Sequence, residues 1–374
     1  MFKLSGSAVA LGATAATFTV PHLLFGLAIG AWTDRTDRKR LMIVVDVLSA
    51  LTVASVPVAA LLGVLSVPWI IGVTFVTSTL GIFFQACEFA VVPSLVEKNE
   101  LVTANGRVQA SFALAQVAGP LVAGAVLVFV AVEDLLLLDA ASFLVSAIAL
   151  ALIRRSFNDA QRQRSTSIRQ DIVEGLRYVL SHPVLRNISL MMAMINVVAT
   201  TVFVQLVLYA KRALAATDSE VGLFFAAGGV GVFLCGLLAG PLRARWSFGN
   251  VALGALMLSG LLTIALALTT SLWLGIALWG LSAGLGTLFN INTGSLRQAI
   301  VPNHMLGRII SIAMVLAWSA NPIGAIGGGF LVERFGDVRV VYAVVGAVIF
   351  VIALVFRVAS PLGRAERYLT PEHA

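Results

Sequence analysis

Charged residues in this chain occur in short stretches between long apolar runs, and this pattern constrains the fold more than any other feature. No charged residue occurs between Ala8 and Thr33, and the chain is apolar again from Leu41. The stretch 34–40 between them holds two Asp and four Arg or Lys residues. Since a charge at the bilayer centre costs about 2.5 to 3.5 kcal/mol, this stretch predicts a loop at a membrane face, and its cations predict the cytoplasmic face.

The composition leads to the same class of protein. Hydrophobic residues make up 59% of the chain and charged residues 11%, whereas a soluble globular protein has about 25% charged residues. Such a chain cannot cover a soluble surface, so we predict an all-α polytopic membrane protein. The net charge of +7 lies in loops between apolar runs, where membrane topology explains it, and we expect no nucleic-acid partner.

Apolar runs long enough for one helical crossing, about 20 residues each, predict where the chain spans the lipid bilayer. Counted in this way, the sequence predicts eleven spans. The runs are 8–32, 41–61, 69–92, 103–131, 135–153, 187–210, 221–242, 247–268, 272–296, 309–332 and 340–356.

One long polar segment, 154–186, divides the chain into two similar lengths. Within it, apolar residues from Ile168 to Leu180 recur on one helical face, with Asp171 and Glu174 on the opposite face. This pattern predicts an amphipathic linker helix on the cytoplasmic membrane surface, and an ordinary soluble linker helix remains the alternative. The predicted domains are a helical bundle (1–153), the linker (154–186), a second bundle (187–358) and a cytoplasmic tail (359–374).

The distribution of Lys and Arg tests this arrangement of spans. If the spans are correct, all but five of the 25 Lys and Arg residues fall on the side of the charged loop 34–40. So uneven a distribution predicts that this side is cytoplasmic, together with the C-terminus at Ala374. The five on the other side are Lys3, Lys211, Arg212, Arg334 and Arg339.

The two lengths are related by internal repeats. Two glycines four residues apart precede a charged loop in each, at 26–30 and at 236–240. A Gly-Arg pair recurs at 106–107 and 307–308, at a nearly equal distance before Gly119-Pro120 and Asn321-Pro322. The repeats predict two similar bundles.

The charged loop resembles the signature loop between the second and third helices of the major facilitator superfamily. Asp37 replaces a glycine and Trp32 a leucine of the usual pattern, and the acidic variant resembles the drug, macrolide and siderophore exporter branch, which includes enterobactin exporters. A plain basic loop that only sets topology is the alternative. The match falls at Gly30, Asp34, Arg35, Arg38 and Lys39.

The resemblance implies two pseudo-symmetric six-helix bundles that act as a monomer in a bacterial inner membrane. By that count the chain lacks the first helix, and we expect that its start was assigned too late; a real loss of the helix is the alternative. The resemblance also implies antiport associated with a Gly-Pro motif on one span, where small residues permit close helix crossing. Plain packing is the alternative for these residues, which are Gly119, Pro120, Gly124, Pro322 and Gly324.

Acidic residues near the cytoplasmic ends of the spans predict a gate. Asp46 and Glu88 lie at a similar depth to Asp34, and ionisable residues inside spans are usually functional. We expect them to form one charge cluster with Arg38 and Arg107 that closes the cytoplasmic side, with Gly30, Arg35 and Lys39 of the loop as part of the gate.

The sequence also offers candidate residues for ion coupling and for substrate binding. Asp139 is a candidate for proton coupling or for a hydrogen bond to a neighbouring helix. The sequence has no Gly-x-x-x-x-Gly-Lys phosphate loop and no His spacing typical of a metal site, so we expect no enzyme activity, cofactor or metal. Polar residues that could line a substrate cavity, or simply pack helices, are Gln116, Asn196, Gln205, Asn290 and Asn292.

These patterns predict a secondary transporter that exports an amphipathic drug, macrolide or siderophore by alternating access, with a proton or another ion as the driving partner. Two alternatives remain open at this point. The first is a carrier of metabolites or lysophospholipids. The second is a membrane protein without transport activity, or an inactive truncated form.

The topology can be tested with tags. We expect a tag after Ala374 to be inaccessible to an impermeant reagent in intact cells, because most cations lie on that side. Single-cysteine labelling at Arg35 and Arg243 should place both on the same side as the tag. An exterior tag, or labelling of these two positions from opposite sides, would contradict the topology.

Overall fold

The computed structural model describes residues 21–22, 24–126, 132–155, 157 and 168–368, and these residues form helices and no strand, as predicted. Three short 3-10 turns accompany the α-helices, at Lys98–Glu100, Asn303–Met305 and Pro361–Tyr368. The α-helices are α1 (Leu24–Thr33), α2 (Arg38–Leu61), α3 (Val67–Leu95), α4 (Leu101–Val126), α5 (Val132–Leu152), α6 (Ile168–Ser181), α7 (Pro183–Val204), α8 (Leu206–Leu214), α9 (Asp218–Arg245), α10 (Phe248–Leu268), α11 (Leu272–Ile300), α12 (Leu306–Phe335) and α13 (Val338–Ala359).

Most predicted helix limits agree with the structure. The uncharged turns expected at 62–68 and 269–271 separate α2 from α3 and α10 from α11, and the amphipathic linker helix is α6. One span differs: the run 187–210 is divided at Gln205 into α7 and α8.

Eight helices within the described part are long and apolar enough to cross a membrane: α2, α3, α5, α7, α9, α10, α11 and α13. Two more of the predicted spans form the long helices α4 and α12. The first predicted span, 8–32, lies mostly outside the described residues. The total of eleven spans therefore stays a prediction.

The described residues divide into two compact units, each assembled from separate stretches of chain. The first takes those within Met1–Leu95, Pro120–Tyr178 and Val301–Val315. The second takes those within Val96–Gly119, Val179–Ile300 and Leu316–Ala374.

In the first unit, α2 packs against both α3 and α5. Side chains from the charged loop and the linker occupy the ends of these helices, where the last carbonyl groups lack partners within the helix. Lys39 donates to the carbonyl oxygens of Ala151 (3.0 Å) and Ile153 (2.6 Å), at the end of α5. Arg155 donates to the carbonyl oxygen of Leu95, at the end of α3 (2.9 Å). The two cations thus stabilise the C-terminal ends of α5 and α3.

In the second unit, α10 packs against α11 and α13, and α9 packs against α11. Two buried tyrosines in this apolar core have hydrogen-bond partners for their hydroxyl groups. The Tyr209 and Tyr342 rings stack with centroids 4.5 Å apart, and their hydroxyls donate to the carbonyl oxygens of Leu266 and Val202. Buried polar groups in lipid need such internal partners because no water is available there.

Glycines bring the helices of the second unit into backbone contact. A Cβ atom on Gly231 of α9 would lie 1.8 Å from the carbonyl oxygen of Gly280 on α11. A Cβ atom on Gly260 of α10 would lie 2.7 Å from the carbonyl oxygen of Gly346 on α13. Small residues at such crossings allow tight van der Waals packing between membrane helices.

Replacing Gly231 with Ala should destabilise the protein, because the new methyl group would overlap the Gly280 carbonyl oxygen. We expect a loss of about 1 to 3 kcal/mol in the free energy of unfolding, the usual cost of overpacking. Unfolding by sodium dodecyl sulfate in mixed micelles measures it.

The matched control is Gly254→Ala on α10, where no described atom lies within 4 Å of the added Cβ. This change should leave stability unchanged or raise it, since Ala favours a helix over Gly. Equal effects of the two substitutions would contradict the backbone contact at Gly231.

Candidate functional site

The charged loop between α1 and α2 is the centre of a cluster of ion pairs in the first unit. Asp34 is its key residue, with a side chain only 1% exposed. Its carboxylate accepts hydrogen bonds from the backbone N–H groups of Gly307 (2.9 Å) and Arg308 (3.0 Å). These residues lie in the first turn of α12, where N–H groups have no partner within the helix and favour an anion. Asp34 therefore caps α12.

Two arginines balance the charge of Asp34. Arg38 lies one helical turn further on and places a guanidinium nitrogen 3.2 Å from one carboxylate oxygen, and Arg308 approaches the other oxygen at 3.4 Å. Arg38 is itself buried and also donates to the carbonyl oxygens of Ala90 and Asn303. The Arg38 guanidinium thus connects the loop to the end of α3 and to the turn before α12.

The linker helix α6 completes the cluster. Asp171 has a fully buried side chain and lies between two cations: Arg35, whose Nε donates to it over 2.7 Å, and Arg308, 3.2 Å away. Glu174 accepts a hydrogen bond from Arg308 at 2.7 Å. The helix can approach so closely because of Gly175, where a Cβ atom would lie 3.2 Å from the Arg308 stem.

Burial and the neighbouring positive charges shift the pKa of Asp34 in opposite directions. Desolvation raises the pKa of its carboxyl group above the ordinary value, while Arg38, the two backbone N–H groups and Arg308 act to lower it. The carboxylate is therefore tolerated in this buried position only through these contacts.

Close backbone packing accompanies the charge cluster. A Cβ atom on Gly30 would lie 2.1 Å from the Ser311 hydroxyl and 2.6 Å from the Gly307 carbonyl oxygen. The repeat-related residues make an equivalent crossing within the second unit: a Cβ on Gly106 would lie 2.2 Å from the Gly236 carbonyl oxygen. Thus the segment 26–30 packs on the start of α12, and the segment 236–240 packs on the start of α4 in the same way.

The structure brings together only part of the predicted gate. Asp34, Arg35 and Arg38 meet in the cluster, and Lys39 lies beside it at the end of α5. Gly30 lies at the crossing beneath.

The other three predicted members, Asp46, Glu88 and Arg107, do not join Asp34 and Arg38, so the expected five-residue cluster does not form. Within the described residues, Asp46 and Glu88 form no ion pair; Asp46 is buried and accepts a hydrogen bond from Ser146 of α5. Arg107 belongs to the second unit, where it is exposed and lines a pocket of about 710 Å³ with Glu97 and other residues. Instead of Arg107, its counterpart in the second repeat, Arg308 of α12, pairs with Asp34.

The helix-crossing residues differ in their surroundings. Gly324 makes a close crossing: its Cβ would lie 2.1 Å from the Val197 carbonyl oxygen, and the Thr201 hydroxyl donates to the Gly324 carbonyl oxygen at 2.8 Å. No described atom lies within 4 Å of a Cβ on Gly119, so the described residues do not provide the tight contact expected there. The side-chain surroundings of Pro120, Gly124 and Pro322 lie outside the described part.

The candidate cavity residues all lie in the second unit. Gln116 and Asn290 are exposed, and Asn196 and Gln205 are half-buried. Asn292 is fully buried, and its amide donates to the Leu288 carbonyl oxygen of the same helix. The coupling candidate Asp139 is exposed on α5 of the first unit.

Sequence reasoning missed three members of the cluster: Asp171, Glu174 and Arg308. Signals for them were present, since both acids lie on the polar face of α6 and Arg308 repeats Arg107. Arg297, which was counted as a loop cation, in fact lies within α11 and is buried.

Comparison with known proteins identifies the class of transporter to which this helical membrane fold belongs. A family profile described as "transmembrane secretion effector" matches residues 1–372. The chain belongs to this family of major facilitator superfamily transporters and is not an enzyme.

Two relatives illustrate the family. The chain is 28% identical to the multidrug efflux pump Tap of Mycolicibacterium fortuitum, over 89% of this chain and 83% of the pump. It is 25% identical to macrolide efflux protein A of Streptococcus pyogenes, over 94% of this chain and 87% of that protein.

Solved structures share the fold. The E. coli fucose:proton symporter superposes with a TM-score of 0.74 and 16% identity, over 93% of this chain and 90% of the symporter. A bacterial homologue of the iron transporter ferroportin, in an outward-facing state, gives a TM-score of 0.73 and 18% identity, over 94% and 90%.

Asp171→Asn should destabilise the protein strongly, because Arg35 and Arg308 would lose a fully buried anionic partner. We expect the free energy of unfolding to fall by about 3 to 5 kcal/mol, the usual cost of breaking a buried pair. Unfolding in mixed micelles measures the change.

Asp37→Asn is the matched control. Asp37 pairs with Arg40 at the surface and caps α2, a role that Asn fills as well. The loss here should be about 0 to 1 kcal/mol. If Asp171→Asn cost no more than this, the buried position of Asp171 between two cations would be wrong.

Proposed function

We propose that this protein exports amphipathic small molecules by alternating access, and that the charge cluster around Asp34 is its cytoplasmic gate. The observation that carries the proposal is that Asp34 connects the first predicted bundle to the start of α12 in the second. In that role the cluster holds the cytoplasmic ends of the two predicted bundles together.

The cluster has the properties that a gate requires. Opening would separate Asp34 from Arg308 and from the first turn of α12, and it would expose Asp171 to water. Each pair compensates a buried charge, so partial opening leaves charges unpaired at a cost of several kcal/mol. Such a cluster favours either the closed or the fully open arrangement, as a transport cycle needs.

The glycine crossings support the same assignment. Each connects the two predicted bundles: Gly30 packs at Gly307, and Gly106 packs at Gly236. These crossings lie at related positions of the two repeats, so one rocking motion would separate both. Backbone packing without long side chains allows them to separate without repacking.

The substrate is proposed from the relatives and the residues together. The relatives are named for multidrug and macrolide efflux, which favours a drug or macrolide over a metabolite or lysophospholipid; a siderophore is kept within the proposed range. Gln116 and Asn290 are exposed polar residues and remain the candidates for lining the substrate path.

The driving force and location complete the proposal. We propose proton-driven antiport by a monomer in a bacterial plasma membrane, with Asp139 as a candidate coupling residue and the C-terminus in the cytoplasm. The excess of cations on that side supports the orientation.

Asp34→Asn should abolish export while leaving insertion intact, because the amide cannot balance Arg38 and Arg308. In an efflux-deficient bacterium that expresses the chain, we expect the wild type to lower the accumulation of a macrolide or a cationic dye, and the variant to leave it at the level of cells without the protein. The amount of each variant in the membrane is measured as a control for expression. Asp37→Asn is the matched acid-to-amide control.

Full export by Asp34→Asn would refute the gate. An uncoupler of the proton gradient should abolish export by the wild type, and persistence would contradict proton coupling alone. Accumulation unchanged by the wild type across the compound panel, together with uptake of a lysophospholipid, would favour the carrier alternative. No flux of any compound would favour a membrane protein without transport activity.

A further inference from the structure

An arginine-lined pocket of about 780 Å³ lies in the second unit, where α7 begins and α13 ends. Arg186 lies in the first turn of α7, Arg357 in the last turn of α13, and Arg364 and Arg367 in the 3-10 segment that follows. All four side chains are exposed. Because two candidate membrane spans have their ends here, we expect the pocket to lie at the depth of the lipid headgroups.

The charge of this pocket is not balanced by the described residues. None of the residues that line it is acidic, and none of its four arginines takes part in an ion pair within the described part of the chain. The acid closest in sequence, Glu366, pairs with Arg243 at 3.0 Å and accepts the Phe248 N–H at 3.3 Å.

The segment that carries two of the arginines is held in place. Leu362 and Ala365 are buried beneath it. A Cβ atom on Gly249 of α10 would lie 2.2 Å from the Leu362 carbonyl oxygen, so the segment lies directly on that helix. The Tyr368 ring contacts the His182 ring edge-on, with centroids 6.3 Å apart. The two arginines are therefore presented from a fixed backbone.

Apolar surface continues from the pocket along the spans. Val358, which lines the pocket, is 79% exposed, and Val355 of α13 and Leu190 of α7 are also more than half exposed. A ligand that fits this surface has an anionic head and a hydrocarbon tail.

We propose that this pocket binds the phosphate group of an anionic phospholipid, with the acyl chains along α7 and α13. Guanidinium groups pair with phosphate oxygens through two parallel hydrogen bonds, which favours arginine in such sites. Basic pockets between membrane helices bind lipid headgroups in the same way. The inference does not depend on the transport function.

Native mass spectrometry of the full chain in detergent tests the site, with phosphatidylglycerol as the anionic probe and phosphatidylcholine as the neutral one. We expect the wild type to bind phosphatidylglycerol in preference. Arg364→Gln together with Arg367→Gln should weaken this binding about 25-fold, because each arginine near an anionic lipid contributes about a fivefold factor.

The matched control removes two exposed cations elsewhere, Arg212→Gln with Arg334→Gln, and should leave the binding unchanged. If the first pair of substitutions prevents folding, Arg186→Gln with Arg357→Gln removes the opposite wall of the pocket. Equal binding of phosphatidylglycerol by the wild type and a folded pocket variant would overturn the proposal. Displacement of the lipid by millimolar inorganic phosphate would also overturn it, since free phosphate would then be the ligand.

Discussion

The charge cluster depends on neutralising the buried carboxylate of Asp34. Asp34 has almost no contact with solvent, so its charge is tolerated only through Arg38, Arg308 and the first N–H groups of α12. These contacts fix three separate parts of the chain: the charged loop, the turn before α12 and, through Arg308, the linker helix α6. Because each charge compensates another, the cluster is stable as a whole and costly in part. If the cluster is the gate that we propose, it therefore opens as one unit.

Glycine provides the second requirement, which is close approach of helix backbones without interlocking side chains. In lipid, apolar side chains gain little from burial against each other, so helices associate through packing at small residues. The crossings at Gly30 and at Gly106 occupy related positions in the two repeats. Each compact unit thus contains the same contact, made from the same pair of sequence motifs. The internal repeat is visible in the packing as well as in the sequence.

Other cations act at the ends of the helices. Lys39 and Arg155 donate to the carbonyl groups at the ends of α5 and α3, which have no partner within their own helices. The four arginines of the pocket between the start of α7 and the end of α13 form no such contact within the described residues. Positive charge at the span ends therefore serves orientation, helix capping and, in our proposal, lipid binding.

The sequence alone determined most of the described helices and where they end, since apolar run length and the linker periodicity are local properties that lipid and water impose directly; the break at Gln205 was not predicted. It also identified the loop and its members Asp34, Arg35 and Arg38. Only the tertiary structure decided that Arg308 meets Asp34, because the repeat supplies two equivalent cations and helix packing selects between them. It likewise separated the buried Asp171 from the solvated residues of its helix face, since periodicity shows which face is polar but not what that face contacts.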